Sequence, residues 1–139
     1  MVFNTDLADW RTLLAFLSAH YDCKYFEDQK LEQLPATETI FQNRPERWTM
    51  LQIAVGGISA NAHFFSVDGI EIDIPPNDVD SADKADAVFA LMRGVSATLG
   101  KRVFLTAENH AVSDNERRAM AVCYADPTYG KAVIVQGGH

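Results

Sequence analysis

A chain of 139 residues, 47% hydrophobic and 22% charged, has the size and composition of a single globular domain spanning 1–139. It can bury about two-thirds of its unfolded surface without metals or disulfides. The formal charge of −7 repels phosphates and argues against nucleic acid as a partner, since the basic pairs Lys101-Arg102 and Arg117-Arg118 are too small to reverse it.

The start, Met1-Val2-Phe3-Asn4-Thr5-Asp6, lacks the basic and apolar regions of a leader. A first helix is expected over Leu7–His20. Leu7, Trp10, Leu14, Leu17 and Tyr21 recur at helical spacing, Leu13 and Phe16 widen the stripe, and Asn4, Thr5 or Asp6 can cap it. Cys23-Lys24-Tyr25-Phe26 is a short aromatic segment, and Thr39-Ile40-Phe41 reads as a brief strand after Pro35. Cys23 and Cys123 stand in no redox or metal spacing. They could bridge in an oxidising compartment, but two separate cytosolic thiols are the simpler reading.

From Trp48 the period becomes two. Trp48, Met50, Gln52 and Ala54 alternate with Thr49, Leu51, Ile53 and Val55, so both faces are largely apolar, as in a strand packed on both sides or lying at an interface. Gly56-Gly57 supplies a bend, and Asn61–Asp68 reads as the antiparallel neighbour, with His63, Phe65 and Val67 on one face and Phe64 and Ser66 on the other. Asp68-Gly69 is a hairpin signal leading into Ile70–Ile74, which Pro75-Pro76 ends.

Ala85, Val88, Phe89, Met92, Val95 and Leu99 follow helical spacing. Ser81, or Asp80 with Asp83, caps the start and Gly100 the end, while Gly94 in the interior implies close packing. Val103–Thr106 is a strand, and Met120–Ala125 and Lys131–Val135 form a hairpin around Tyr129. No segment approaches the roughly 20 apolar residues of a membrane span. The expected location is therefore the cytoplasm, with no membrane contact.

The most distinctive stretch runs from Ser66 to Asp86, with seven acidic residues and one basic residue. Ile70, Ile72 and Ile74 alternate with Glu71 and Asp73, so one strand face is buried and the other charged. Asp78, Asp80 and Asp83 imitate the opening of a calcium loop. Yet Ala82 occupies a ligand position, Asp83 replaces the required glycine, and the late glutamate is missing. A solvated loop and helix cap explains them, and no metal is implied.

Catalytic patterns are equally thin. His63, Glu108 and His110 are the residues a small hydrolase or ligand-binding enzyme would use, were they to converge. His20, His63 and His110 lack zinc spacing. Ser59, Ser66, Ser81 and Ser96 lack a nucleophile turn, and Gly56-Gly57 is no phosphate loop. Trp10, Phe16, Trp48, Phe64, Phe65, Phe89 and Phe104 sit at core-type positions. Tyr25, Phe26, Tyr124 and Tyr129 are the candidate surface anchors, because tyrosine buries area while keeping a polar tip.

The order of helix, antiparallel strands, amphipathic helix and further strands resembles small α+β immunity-type proteins encoded beside bacterial toxins. Leu99-Gly100-Lys101-Arg102-Val103-Phe104-Leu105-Thr106-Ala107-Glu108-Asn109 looks like a recurring helix-to-strand ending in them. The resemblance implies a stoichiometric inhibitor that blocks its toxin with an acidic face, has no chemistry of its own and needs no cofactor.

The expectation is thus an α+β fold, two main helices packed on a mostly antiparallel sheet in the approximate order α-β-β-β-α-β-β-β. Its function is non-catalytic protein binding, to a basic partner or as a homodimer, through Glu71, Asp73, Asp78, Asp80 and Tyr129. The alternative is the enzyme built around His63, Glu108 and His110.

Overall fold

The computed structural model describes residues 1–43, 47–106, 121–127 and 132–134. Its elements run β1 (Val2–Phe3), α1 (Leu7–His20), β2 (Cys23–Glu27), β3 (Lys30–Glu32), α2 (Thr37–Asn43), β4 (Thr49–Val55), β5 (Ile58–Ser66), β6 (Gly69–Asp73), α3 (Ala82–Leu99), β7 (Val103–Thr106), β8 (Ala121–Ala125) and β9 (Ala132–Ile134). A six-stranded antiparallel sheet has the order β1-β6-β5-β4-β2-β3, and a three-stranded one the order β7-β8-β9. The fold is α+β, with α1 and α3 as the two long helices.

Local chemistry sets the helix bounds. Asp6 accepts from the Asp9 amide and Asp9 answers from its side chain, a capping box that closes the positive end of α1. Ser81 accepts from the Lys84 amide at the start of α3, and Gly100 ends it in the left-handed conformation. Trp10, Leu13, Leu14 and Leu17 form the buried stripe of α1; Val88, Leu91, Met92, Val95 and Ser96 form that of α3.

Between 22 and 47 the structure departs from the sequence reading. Thr39-Ile40-Phe41 lies within helix α2, not a strand. Ile40 is fully buried, and its neighbour Phe41 packs edge-on against Trp10 and Phe64. A strand would send adjacent side chains to opposite faces, whereas a helix lets both reach one core. Tertiary packing therefore overrides the β-branched preference. β2 and β3 form a hairpin through Asp28 and Gln29, both at positive φ (49° and 68°).

Trp10, Phe41 and Phe64 bring α1 and α2 onto one face of the large sheet. That face contributes Tyr25, Leu51, Ile53, Val55, Ala60, Ala62, Phe64 and Ile70 to the core, together with α3. The sheets are joined at their edges, where the Met1 nitrogen donates to the Phe104 carbonyl at 2.8 Å and the Phe104 amide returns a bond to the Met1 carbonyl at 2.9 Å. The Ser96 hydroxyl bridges the Lys101 and Ala125 carbonyls at 2.7 and 3.2 Å, fastening α3 to the smaller sheet.

Both of the sequence's basic-pair residues at 101–102 are internal ties. Lys101 meets Asp9 at 3.1 Å, and Arg102 meets Asp126 at 2.6 Å. Arg117 and Arg118 lie outside the described residues.

The β4–β5 turn approaches α3 very closely. Gly56 has φ +53°, and a Cβ placed there would stand 2.5 Å from the Ala87 Cβ. Gly56→Ala combines left-handed strain with overpacking and should destabilise the fold by about 1–3 kcal/mol. Urea unfolding measures this, with an Ala87→Gly background recovering part of the loss.

Candidate functional site

The face of the large sheet turned away from α1, α2 and α3 carries the candidate site. Strand register fixes a row across it: Leu31 opposite Phe26, Phe26 opposite Met50, Met50 opposite His63, and His63 opposite Glu71. Phe65 follows His63 by two residues within β5, so strand alternation places it on the same face, and Trp48 lies just before β4. Leu31 is 63% exposed, Phe65 52% and Trp48 46%. Phe26 and Met50 are half-buried, yet they belong neither to the core nor to the partly buried residues packed against it.

The sequence expectation for the aromatics is corrected here. Trp48 and Phe65, read as core residues, lie on the surface. Tyr25, read as a surface anchor, is 2% exposed. Tyr25 and Phe26 are neighbours on β2, so one must face the helices and the other must face away. Phe26 remains on the outer face. The two apolar faces of β4 are real: Leu51, Ile53 and Val55 enter the core, and Met50 joins the outer row.

A second row, more polar, runs beside the first. Lys24 pairs with Gln52, Gln52 with Asn61, and Asn61 with Asp73. His63 Nε2 meets Asp73 Oδ2 at 2.8 Å, and the His63 ring lies stacked on Phe65 with centroids 5.1 Å apart. The carboxylate thus fixes the imidazole's orientation. The Asn61 side-chain oxygen is buried and has no hydrogen-bond partner.

The four acidic candidates occupy two places. Glu71 and Asp73 point from β6 onto the outer face. Asp78 and Asp80 follow the strand, Asp78 in a 3-10 turn at Pro76–Asp78 and Asp80 just before the Ser81 cap. Asp80 takes Lys84 Nζ at 3.0 Å, and that hydrogen bond and charge hold its carboxyl below the usual range. The turn-and-cap reading of Asp78–Asp83 therefore has a structural counterpart. Glu108, His110 and Tyr129 lie outside the described residues. His63, the described member of the catalytic alternative, is paired with Asp73.

Among the described residues, no group of three or more His, Cys, Asp or Glu could hold a metal ion, and no helix is long and apolar enough to cross a membrane. The described cavity lies away from the outer face, at the junction of β1, β6, α3 and β7. Its lining includes Ile70, Ile72, Leu91, Met92, Val95 and Val103, and none of its residues carries a titratable side chain. Comparison with family models, with curated proteins and with solved structures finds no match.

Burial pushes the Tyr25 phenol well above its ordinary range, helped by the Glu27 hydrogen bond and charge, with Arg47 opposing. A folded-state value raised in this way contributes stability that is complete below the unfolded phenol's value near about 10 and is lost as pH rises through the folded one. The wild type should therefore lose stability above about pH 10 more steeply than Tyr25→Phe. At neutral pH that variant costs about 0.5–1.5 kcal/mol through the lost bond to Glu27. Urea titrations at pH 7 and pH 11 compare the two.

Proposed function

We propose that this chain is a non-catalytic protein-binding domain that engages a basic protein through the outer face of its large sheet. An immunity protein neutralising a toxin is the form of that function the sequence resembles. The observation that carries the reading is the row Leu31, Phe26 and Met50, which belongs neither to the core nor to the partly buried hydrophobics packed on it and lies on the same face as Asp73. Apolar side chains held on a rigid sheet give area to bury, while carboxylates at the margin steer a cationic partner and select against acidic ones.

The cytoplasm is the compartment this reading assigns, consistent with the free thiol of Cys23, which burial and the neighbouring Asp22 hold less acidic than an ordinary thiol.

One observation favours the second reading, a small hydrolase or ligand-binding enzyme: a carboxylate-oriented imidazole is half of an acid–base pair. His63 and Asp73 sit on the sheet face opposite the core, however, and the described cavity is apolar and lies elsewhere. Binding accounts for more of the surface than catalysis does.

Affinity capture from the source organism's lysate at low and high salt, followed by titration of the purified captured protein, tests the reading. The expected result is one stoichiometric basic protein. Its association should slow by about tenfold or more for Glu71→Ala/Asp73→Ala at low salt, the difference closing as salt rises. Equal association of wild type and double variant at every salt concentration would remove the acidic margin from the mechanism.

A further inference from the structure

Beyond the binding of a basic protein, we propose that β3 is a self-association edge, where a second copy of this chain pairs antiparallel about a two-fold axis at Leu31. β3 ends the strand order of the large sheet, and Lys30, Leu31 and Glu32 are all exposed. Beyond its pairing with β2, the strand has no hydrogen bond or ion pair among the described residues. Leu31, at 63%, is the most exposed of the large hydrophobic side chains described.

The main chain presents matching groups. In β2 the even-numbered residues bond to β4: the Asp22 carbonyl accepts from the Ala54 amide at 2.9 Å, and the Asp28 amide donates to the Trp48 carbonyl at 2.8 Å. Tyr25 and Glu27 therefore bond toward β3, where their partners are Glu32 and Lys30. Leu31, opposite Phe26, is left with its N–H and C=O directed to the open edge. Two copies related by an axis at Leu31 exchange those two bonds and join their sheets into one, a closed arrangement.

The side chains select the register. Lys30 of each copy stands opposite Glu32 of the other, in the closer, non-hydrogen-bonded type of pair. Parallel pairing in register sets lysine on lysine and glutamate on glutamate. An antiparallel slip of two residues places one such like-charged pair on the axis. A lone edge lysine guards a strand against every copy, whereas one charge of each sign flanking Leu31 admits this pairing. On the outer face, Leu31 and Phe26 of both copies meet in one apolar cluster.

Net charge does not oppose the contact. The β2–β3 hairpin, with Arg47 meeting Glu27 at 3.4 Å, sets Lys24, Lys30 and Arg47 against Glu27, Asp28 and Glu32. This edge is thus neutral in a chain of charge −7, and more distant acids are screened beyond about 8 Å at physiological salt. A strongly basic partner finds no excess of carboxylates here.

Sedimentation velocity of the full chain from about 10 μM to about 1 mM tests this, a range suited to a small interface. The expected result is a concentration-dependent rise from the 15.4 kDa monomer to twice that mass and no further. Lys30→Glu and Glu32→Lys, both at exposed positions, should each weaken self-association by about tenfold or more, because both cross-axis pairs become like-charged. An equimolar mixture of the two variants should recover the dimer, since each supplies the charge the other lacks. A monomer throughout the range, growth beyond the dimer, a dimer indifferent to both reversals, or a mixture that stays monomeric would overturn the inference. Capture of a basic partner by a chain that remains monomeric retires this inference alone. A dimer that obeys the charge reversals but captures no partner retires only the basic-partner reading.

Discussion

The fold depends first on the burial of one indole. Trp10 is fully enclosed, with ring centroids 5.1 Å from Phe64 and 5.2 Å from Phe41, and its Nε1 donates to the Ser66 carbonyl at 3.1 Å. A single side chain on α1 therefore fixes the position of α2 and of the end of β5. Aromatic contacts of this kind are each worth about 0.5–1.5 kcal/mol beyond area burial, a large share of a total stability of about 5–15 kcal/mol. The polar tip is satisfied by backbone, so the ring enters the core without an orphaned donor. Thr5 reinforces the same junction, its hydroxyl donating to Val67 at 2.7 Å and its amide to Asp68 at 3.2 Å.

Because Phe64 receives those aromatics, alternation along β5 sends His63 and Phe65 to the other side of the sheet. The same constraint acts on β4 and β2: once Leu51 and Tyr25 are core residues, Met50 and Phe26 cannot be. The outer row is thus a geometric consequence of how the inner face is packed. Its apolar character is not such a consequence. The row runs beside the polar one of Lys24, Gln52, Asn61 and Asp73.

How far the sequence discloses this arrangement depends on whether local chemistry or tertiary packing decides each element. The caps at Asp6, Ser81 and Gly100 and the turns at Gly56-Gly57 and Asp68-Gly69 are local, and they mark α1, α3 and the β4–β5–β6 meander at nearly their observed bounds. The β2–β3 hairpin turns through Asp28 and Gln29 in left-handed conformations without glycine, so the usual signal is missing. Its support comes from a distance, where the Asp28 side chain accepts from the Trp48 amide at 3.0 Å. For the candidate site, the two apolar faces of β4 already raise the choice between a sandwiched strand and an interface. Only the placement of Trp10 and Phe41 decides which face is covered. The pairing of Asn61 with Asp73 depends on strand register, including the irregularity between His63 and Ser66, and no spacing in the chain announces it.

Charge is sorted by the same architecture. Lys101 and Arg102 sit where α3 gives way to β7, and each is drawn onto a carboxylate from another element, Asp9 and Asp126. Those cations therefore help hold the smaller sheet and the start of α1 in place. Asp126 is 8% exposed whereas the Arg102 side chain is 55% exposed, so the pair is screened from its arginine side. On the outer face Asp73 meets His63 at 2.8 Å, and the His63 ring is stacked on Phe65. Further ion pairs lie at the surface, Arg11 with Glu38, Arg47 with Glu27 and Lys84 with Asp80.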